Sequence, residues 1–98
     1  MVIILGEVGC GKTKKMLEKA HETNAVILTH SDYRAKRLLD KADAYGLFIR
    51  EPLVIGNKLP EGETYIIDSL DEVLREMLKS DVIGCTISTE SSFLDSIQ

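Results

Sequence analysis

Three glycines fall within six positions, at Gly6, Gly9 and Gly11, and Lys12 and Thr13 follow at once. In front of them, Val2-Ile3-Ile4-Leu5 is apolar on both sides of the pleat, the pattern of a strand buried in a parallel sheet. Behind them, Met16, Leu17 and Ala20 recur at helical spacing and make one apolar stripe. The backbone therefore has to leave a buried strand, pass through a turn that glycine permits, and enter a helix. A strand buried on both faces also needs parallel neighbours reached by crossovers, which commits the rest of these 98 residues to an α/β design.

The remaining pattern agrees. The first helix is expected from Thr13 to about Thr23, stopped at Asn24, and Ala25 to Leu28 reads as a second buried strand. Ser31 or Asp32 caps a second helix that runs to about Tyr45 and closes on Gly46. Phe48 to Ile55 carries Pro52, so any strand there is short or at an edge. Asn57 to Glu63 is a loop, Thr64 to Ile67 a strand and Leu70 to Lys79 a helix. Val82 to Ser88 reads as a last strand and Ser91 to Gln98 as a short helix. Together these predict one domain over residues 1–98: a three-layer α/β/α sandwich on a mostly parallel sheet of four to five strands.

Composition excludes other classes. At 44% hydrophobic and 29% charged, the chain is neither collagen-like nor disordered. Its apolar runs reach four residues, against about 20 for a bilayer span, and no basic leader precedes them, so no membrane association is expected. Cys10 and Cys85 are too few for a disulfide framework and suit a reducing cytoplasm. Cys10 reads as a small residue tolerated at a variable position, and Cys85 as core. His21 and His30 lack companions at ligand spacing. The net charge of −4 is uneven: residues 12–41 hold eight Lys or Arg against four Asp or Glu, and residues 42–98 hold four against eleven. Such asymmetry describes solvated helix faces or a polar binding surface. Few aromatic rings accompany the basic residues, so stacking platforms for nucleic acid are sparse.

The octapeptide Gly6-Glu7-Val8-Gly9-Cys10-Gly11-Lys12-Thr13 fits G-x-x-x-x-G-K-[ST] between a strand and a helix. In such a loop the backbone amides turn inward onto phosphate oxygens, and the helix N-terminus adds partial positive charge. Lys12 reaches the outer phosphates, and the Thr13 hydroxyl serves a magnesium ion. On these residues the chain resembles a P-loop NTPase with a full Walker A motif, and Tyr65-Ile66-Ile67-Asp68 resembles Walker B. The resemblance implies a truncated P-loop NTPase fold, a nucleotide bound by residues 6–13, and Mg²⁺ held by Thr13 and Asp68. Asn57-Lys58-Leu59-Pro60 lacks the Asp of a guanine-reading N/T-K-x-D, so ATP is favoured over GTP.

The group that includes RecA-like proteins and helicases often places a catalytic Glu after the Walker B Asp, and here Ser69 stands there. Asp71 and Glu72 are the candidates to orient water, alongside their reading as first-turn helix acids; Asp32 is a candidate from another strand end. Leu28-Thr29-His30-Ser31 with Ala35 resembles helicase motif Ia, and Thr86-Ile87-Ser88-Thr89-Glu90 resembles a sensor strand end. The RecA-like sheet order is 5-1-4-3-2, and with only four strands recognisable and no fifth, the first strand is expected at an open edge. A second copy, a protein partner or the Phe93-Leu94-Ile97 cluster would cover it. Arg34, Arg37, Arg50 and Arg75 read as surface residues, with no clear arginine finger among them.

The expected function is a small NTPase that binds Mg-ATP and hydrolyses it slowly, as an oligomer or an accessory subunit in DNA metabolism. A phage or mobile element is the setting that the resemblance suggests, and nucleic acid is a weaker expectation. Alternatives are a nucleotide-binding switch or protein-interaction module without hydrolysis and, with less in its favour, a small nucleoside or nucleotide kinase.

Overall fold

The computed structural model of the chain describes residues 2–6, 11–88 and 93–97, the first and last of these as backbone only. Its elements alternate: β1 (Val2–Gly6), α1 (Lys12–Thr23), β2 (Val26–Thr29), α2 (Asp32–Ala44), β3 (Leu53–Val54), β4 (Tyr65–Ile67), α3 (Leu70–Leu78) and β5 (Phe93–Ile97). A three-stranded parallel sheet has the order β3-β2-β4, and β1 and β5 form a second parallel pair in register from Val2 with Phe93 to Gly6 with Ile97. The fold is thus α/β, with three helices and parallel strands among the described residues.

Local chemistry explains most of the boundaries. Gly11 enters α1 at φ 94, a left-handed conformation that glycine adopts without strain, and Asn24 ends the helix at φ 58. Ser31 caps α2 by accepting the Arg34 amide at 3.1 Å, and the chain leaves that helix through Gly46 at φ 70. Pro52 precedes an edge strand of two residues. Two turns with left-handed glycines, Gly56 and Gly62, return the chain from β3 to β4 without a helix.

The core forms where α1 and α2 pack on β2. Met16, Leu17 and Ala20 meet Ile27, Leu38, Ala42 and Ile49, with Leu47 and Ile66 against them. Burying Leu17, Ile27 and Leu38 completely stabilises the fold by about 1.5–3 kcal/mol each. All four β2 residues are buried, so both faces of that strand are covered.

Two sequence expectations are corrected at the far end. Residues 82–88 form no strand: 81–88 are irregular, and Ile83 is fully exposed. Gly84 interrupts the apolar run, and β5 holds one side of β1 as its parallel partner. Phe93–Ile97 is a strand and not part of a terminal helix; positions 91, 92 and 98 lie outside the described residues. An isolated helix of eight residues is barely stable, whereas a parallel ladder with β1 pairs all five residues of the strand. Cys85, expected in the core, is exposed.

Candidate functional site

Parallel strands bring their carboxyl ends to the same side of a sheet, where ligands bind in open α/β folds. Here that side carries Thr29 at the end of β2 and His30 after it, Asp68 after β4, the first turns of α2 and α3, and the N-terminus of α1.

Asp68 is the centre. It is only 5% exposed, and its amide still donates to Leu28 O at 2.9 Å, so the β2–β4 ladder fixes its backbone. Its carboxylate is fully engaged. Oδ2 accepts Thr29 Oγ1 and Arg34 Nε, each at 2.8 Å, and Oδ1 accepts Arg34 Nη2 at 3.2 Å. A buried carboxylate costs several kcal/mol unless paired, and the two-pronged guanidinium supplies the pairing. The hydrogen bond to Asp68 pushes the Arg34 pKa up against the opposing effect of burial, so the guanidinium stays charged.

The same Nη2 reaches 3.3 Å from Thr13 Oγ1. One nitrogen therefore bridges the α1 hydroxyl and the β4 carboxylate, the two groups that the sequence assigns to one metal ion. Their pairing of hydroxyl and carboxylate oxygen suits a hard cation such as Mg²⁺. In this structure the positive charge between them is the Arg34 guanidinium. Among the described residues no group of three or more His, Cys, Asp or Glu gathers for a metal. A magnesium ion here would therefore draw most of its ligands from water and phosphate.

The two water-orienting candidates separate. Glu72 Oε2 lies 2.6 Å from His30 Nε2, and its charge also helps to raise the Arg34 pKa, so it faces the Asp68 cluster. Asp71 is exposed and forms no side-chain hydrogen bond or ion pair among the described residues, and the same holds for Asp32. Ser69, in the place of the usual Glu, adopts a left-handed conformation at φ 55 and caps α3 without a side-chain hydrogen bond. Lys12 is partly buried and has no such partner among the described residues. Gly6 ends β1, Gly11 enters α1, and Glu7, Val8, Gly9 and Cys10 lie outside the described residues.

Other readings change on this geometry. Arg34, expected on the surface, is turned inward, its side chain 24% exposed. One sequence signal did point to it: the third helical position after a Ser cap favours Glu or Gln and disfavours a cation, so an Arg there has other employment. Thr29, in the segment that resembles helicase motif Ia, is completely buried and spends its hydroxyl on Asp68. Thr86 to Ser88 sit in the irregular exposed segment, and Thr89 and Glu90 lie outside the described residues. The basic helices α1 and α2 are neighbours, with Lys14 placed 5.3 Å over the Tyr45 ring between them. No described helix is long and apolar enough to cross a membrane.

No protein-family model, curated protein or solved structure matches the chain.

Proposed function

We propose that this protein is a small P-loop NTPase that binds Mg-ATP and hydrolyses it slowly. The observation that carries the reading is the meeting of Thr13 and Asp68, 55 positions apart, on one cationic nitrogen beside the end of the glycine octapeptide. In this reading the amides of residues 6–13 and Lys12 hold the phosphates, and Thr13 and Asp68 hold Mg²⁺, which when bound neutralises developing phosphoryl charge. Glu72, steadied by His30, is the better candidate than Asp71 for positioning water. Burial of both faces of β2 supports a three-layer sandwich, with α1 and α2 on one side.

The RecA-like refinement rests on the order of the octapeptide, the Thr29-His30 strand end and Asp68, and draws nothing from residues 82–88. An assembly or protein partner is also part of the proposal. Because β5 lies along β1, the surface that supports it is the apolar one at Ile67, Leu70, Met77 and Leu78, which are 40–58% exposed. A second reading, a nucleotide switch without turnover, is favoured by Ser69 and its left-handed backbone.

Phosphate release from Mg-ATP by the wild type beside Lys12→Ala and Asp68→Ala, with and without single-stranded DNA, tests both readings. Turnover lost in both variants establishes the ATPase, and stimulation by DNA places it in nucleic-acid metabolism. ATP binding without turnover under any condition leaves the switch.

A further inference from the structure

We propose that Arg34 is the protein's own occupant of the metal position, a tethered cation that joins Thr13 to Asp68 when nucleotide is absent and must withdraw when Mg-nucleotide enters. The inference rests on the nucleotide-binding reading above and adds a control on that same site.

Three observations carry it. First, both protein groups that the reading assigns to the metal are already engaged: Nε and Nη2 of Arg34 cover both oxygens of Asp68, and Nη2 also covers Thr13 Oγ1. A divalent cation and a guanidinium cannot share these oxygens, because like charges at contact distance repel strongly where water is largely excluded. Second, the occupancy has a structural purpose. Asp68 is a carboxyl buried on a fixed ladder position, which is costly without a partner whether or not nucleotide is present. Arg34 removes that cost in the empty protein. Third, Arg34 is able to leave. Its backbone is fixed by the Ser31 cap in the first turn of α2, but its side chain is long, flexible and partly exposed, so withdrawal requires rotamer changes and no helix movement. A guanidinium fork displaced from a carboxylate also suits phosphate oxygens, which a triphosphate would bring close by.

The consequence is a weakened linkage between metal and nucleotide. In wild-type protein Arg34 opposes metal entry and offers its own charge to a metal-free nucleotide, so Mg²⁺ should change nucleotide affinity little. In Arg34→Met, which keeps the length of the stem without the charge, both effects vanish and affinity should depend steeply on Mg²⁺.

The test is titration of the full chain with a fluorescent ATP analogue, in EDTA and in millimolar Mg²⁺, for wild type and Arg34→Met. The readout is the ratio of Kd in EDTA to Kd in Mg²⁺. The expected ratio is at least about tenfold larger in Arg34→Met, the scale of one charge-assisted contact. Binding by the variant alone supports the proposal in its strongest form, with Arg34 acting as a block. An equal or smaller ratio in the variant overturns the proposal and leaves nucleotide binding intact, as does loss of binding by the variant in both buffers. No binding by either protein in either buffer overturns the nucleotide reading and this inference with it. If Arg34→Met does not melt cooperatively, Arg34→Lys, which cannot bridge two groups with a fork, should move the ratio in the same direction by a smaller factor.

Discussion

Thr29 and Asp68, 39 positions apart, are joined at the carboxyl ends of adjacent parallel strands by a 2.8 Å hydrogen bond with no access to water. The acceptor is charged and the donor wholly buried, so the bond belongs to the stronger class. Thr29→Val preserves shape and removes only the donor. It should lower stability by about 1–3 kcal/mol, read as a shifted urea midpoint with unchanged slope. An unshifted midpoint would mean that Arg34 alone satisfies the carboxylate.

Lys12 behaves in the opposite way. It carries no hydrogen bond or ion pair among the described residues, so the fold does not depend on its charge. Lys12→Ala should leave the melting temperature within about 1 °C while weakening ATP binding by about 10–100-fold, the loss of one charged phosphate contact. Calorimetric titration beside a thermal melt separates the two effects; a large drop in stability with binding retained would remove Lys12 from the site.

Glu72 and Asp71 are adjacent in sequence and differ in partner. With His30 at 2.6 Å, Glu72 is held toward the Asp68 cluster, and Asp71 faces solvent. Glu72→Gln should reduce phosphate release by about 10-fold or more, the usual range for a positioned acid–base group, and Asp71→Asn should leave it within about twofold. The reverse ranking would return the role to Asp71.

Away from the site, Arg50 reaches Glu63 through two bonds, 2.6 and 3.2 Å long, and this pairing holds the Glu63 carboxyl below its ordinary value of 4.5. A carboxyl depressed in the folded state stabilises fully above that ordinary value, and the contribution disappears as pH falls below it. Both side chains are about one-third exposed, so the effect is small. Melting temperatures of wild type and Glu63→Gln should differ at pH 6 and converge as pH drops below 4.5. A constant gap would show that the pair does not contribute through charge.

Much of this was legible in the sequence wherever a local rule and the tertiary context agreed. Val2-Ile3-Ile4-Leu5 and Ala25 to Leu28 read as strands of a parallel sheet, and residues 2–5 and 26–28 do lie in parallel pairings. Ser31 and Gly46 bound α2 through chemistry that operates within four residues. Thr13 and Asp68 were assigned to one position by motif, and a shared nitrogen connects them. The misreadings concern long-range competition. Residues 82–88 have strand-forming side chains but no place in either sheet, and Phe93–Ile97 is a strand only because β1 pairs with it. Arg34 was passed over because its partner is a carboxylate 34 positions later, which its unusual place after the Ser31 cap does not name.

The pairing of Val2 with Phe93 also sets an order in time. The β3-β2-β4 sheet is assembled from residues 26–67 and can form as soon as they leave the ribosome, whereas β1 is made first and waits 91 positions for its neighbour. At about 5–20 residues per second that wait is roughly 5–20 s, and closing so long a loop is slow in any case. The glycine octapeptide starts at the end of that waiting strand. If the octapeptide binds nucleotide as proposed, nascent protein should therefore acquire that capacity last, after the β3-β2-β4 sheet, and a chain stalled before residue 93 should hold that sheet and still be empty-handed.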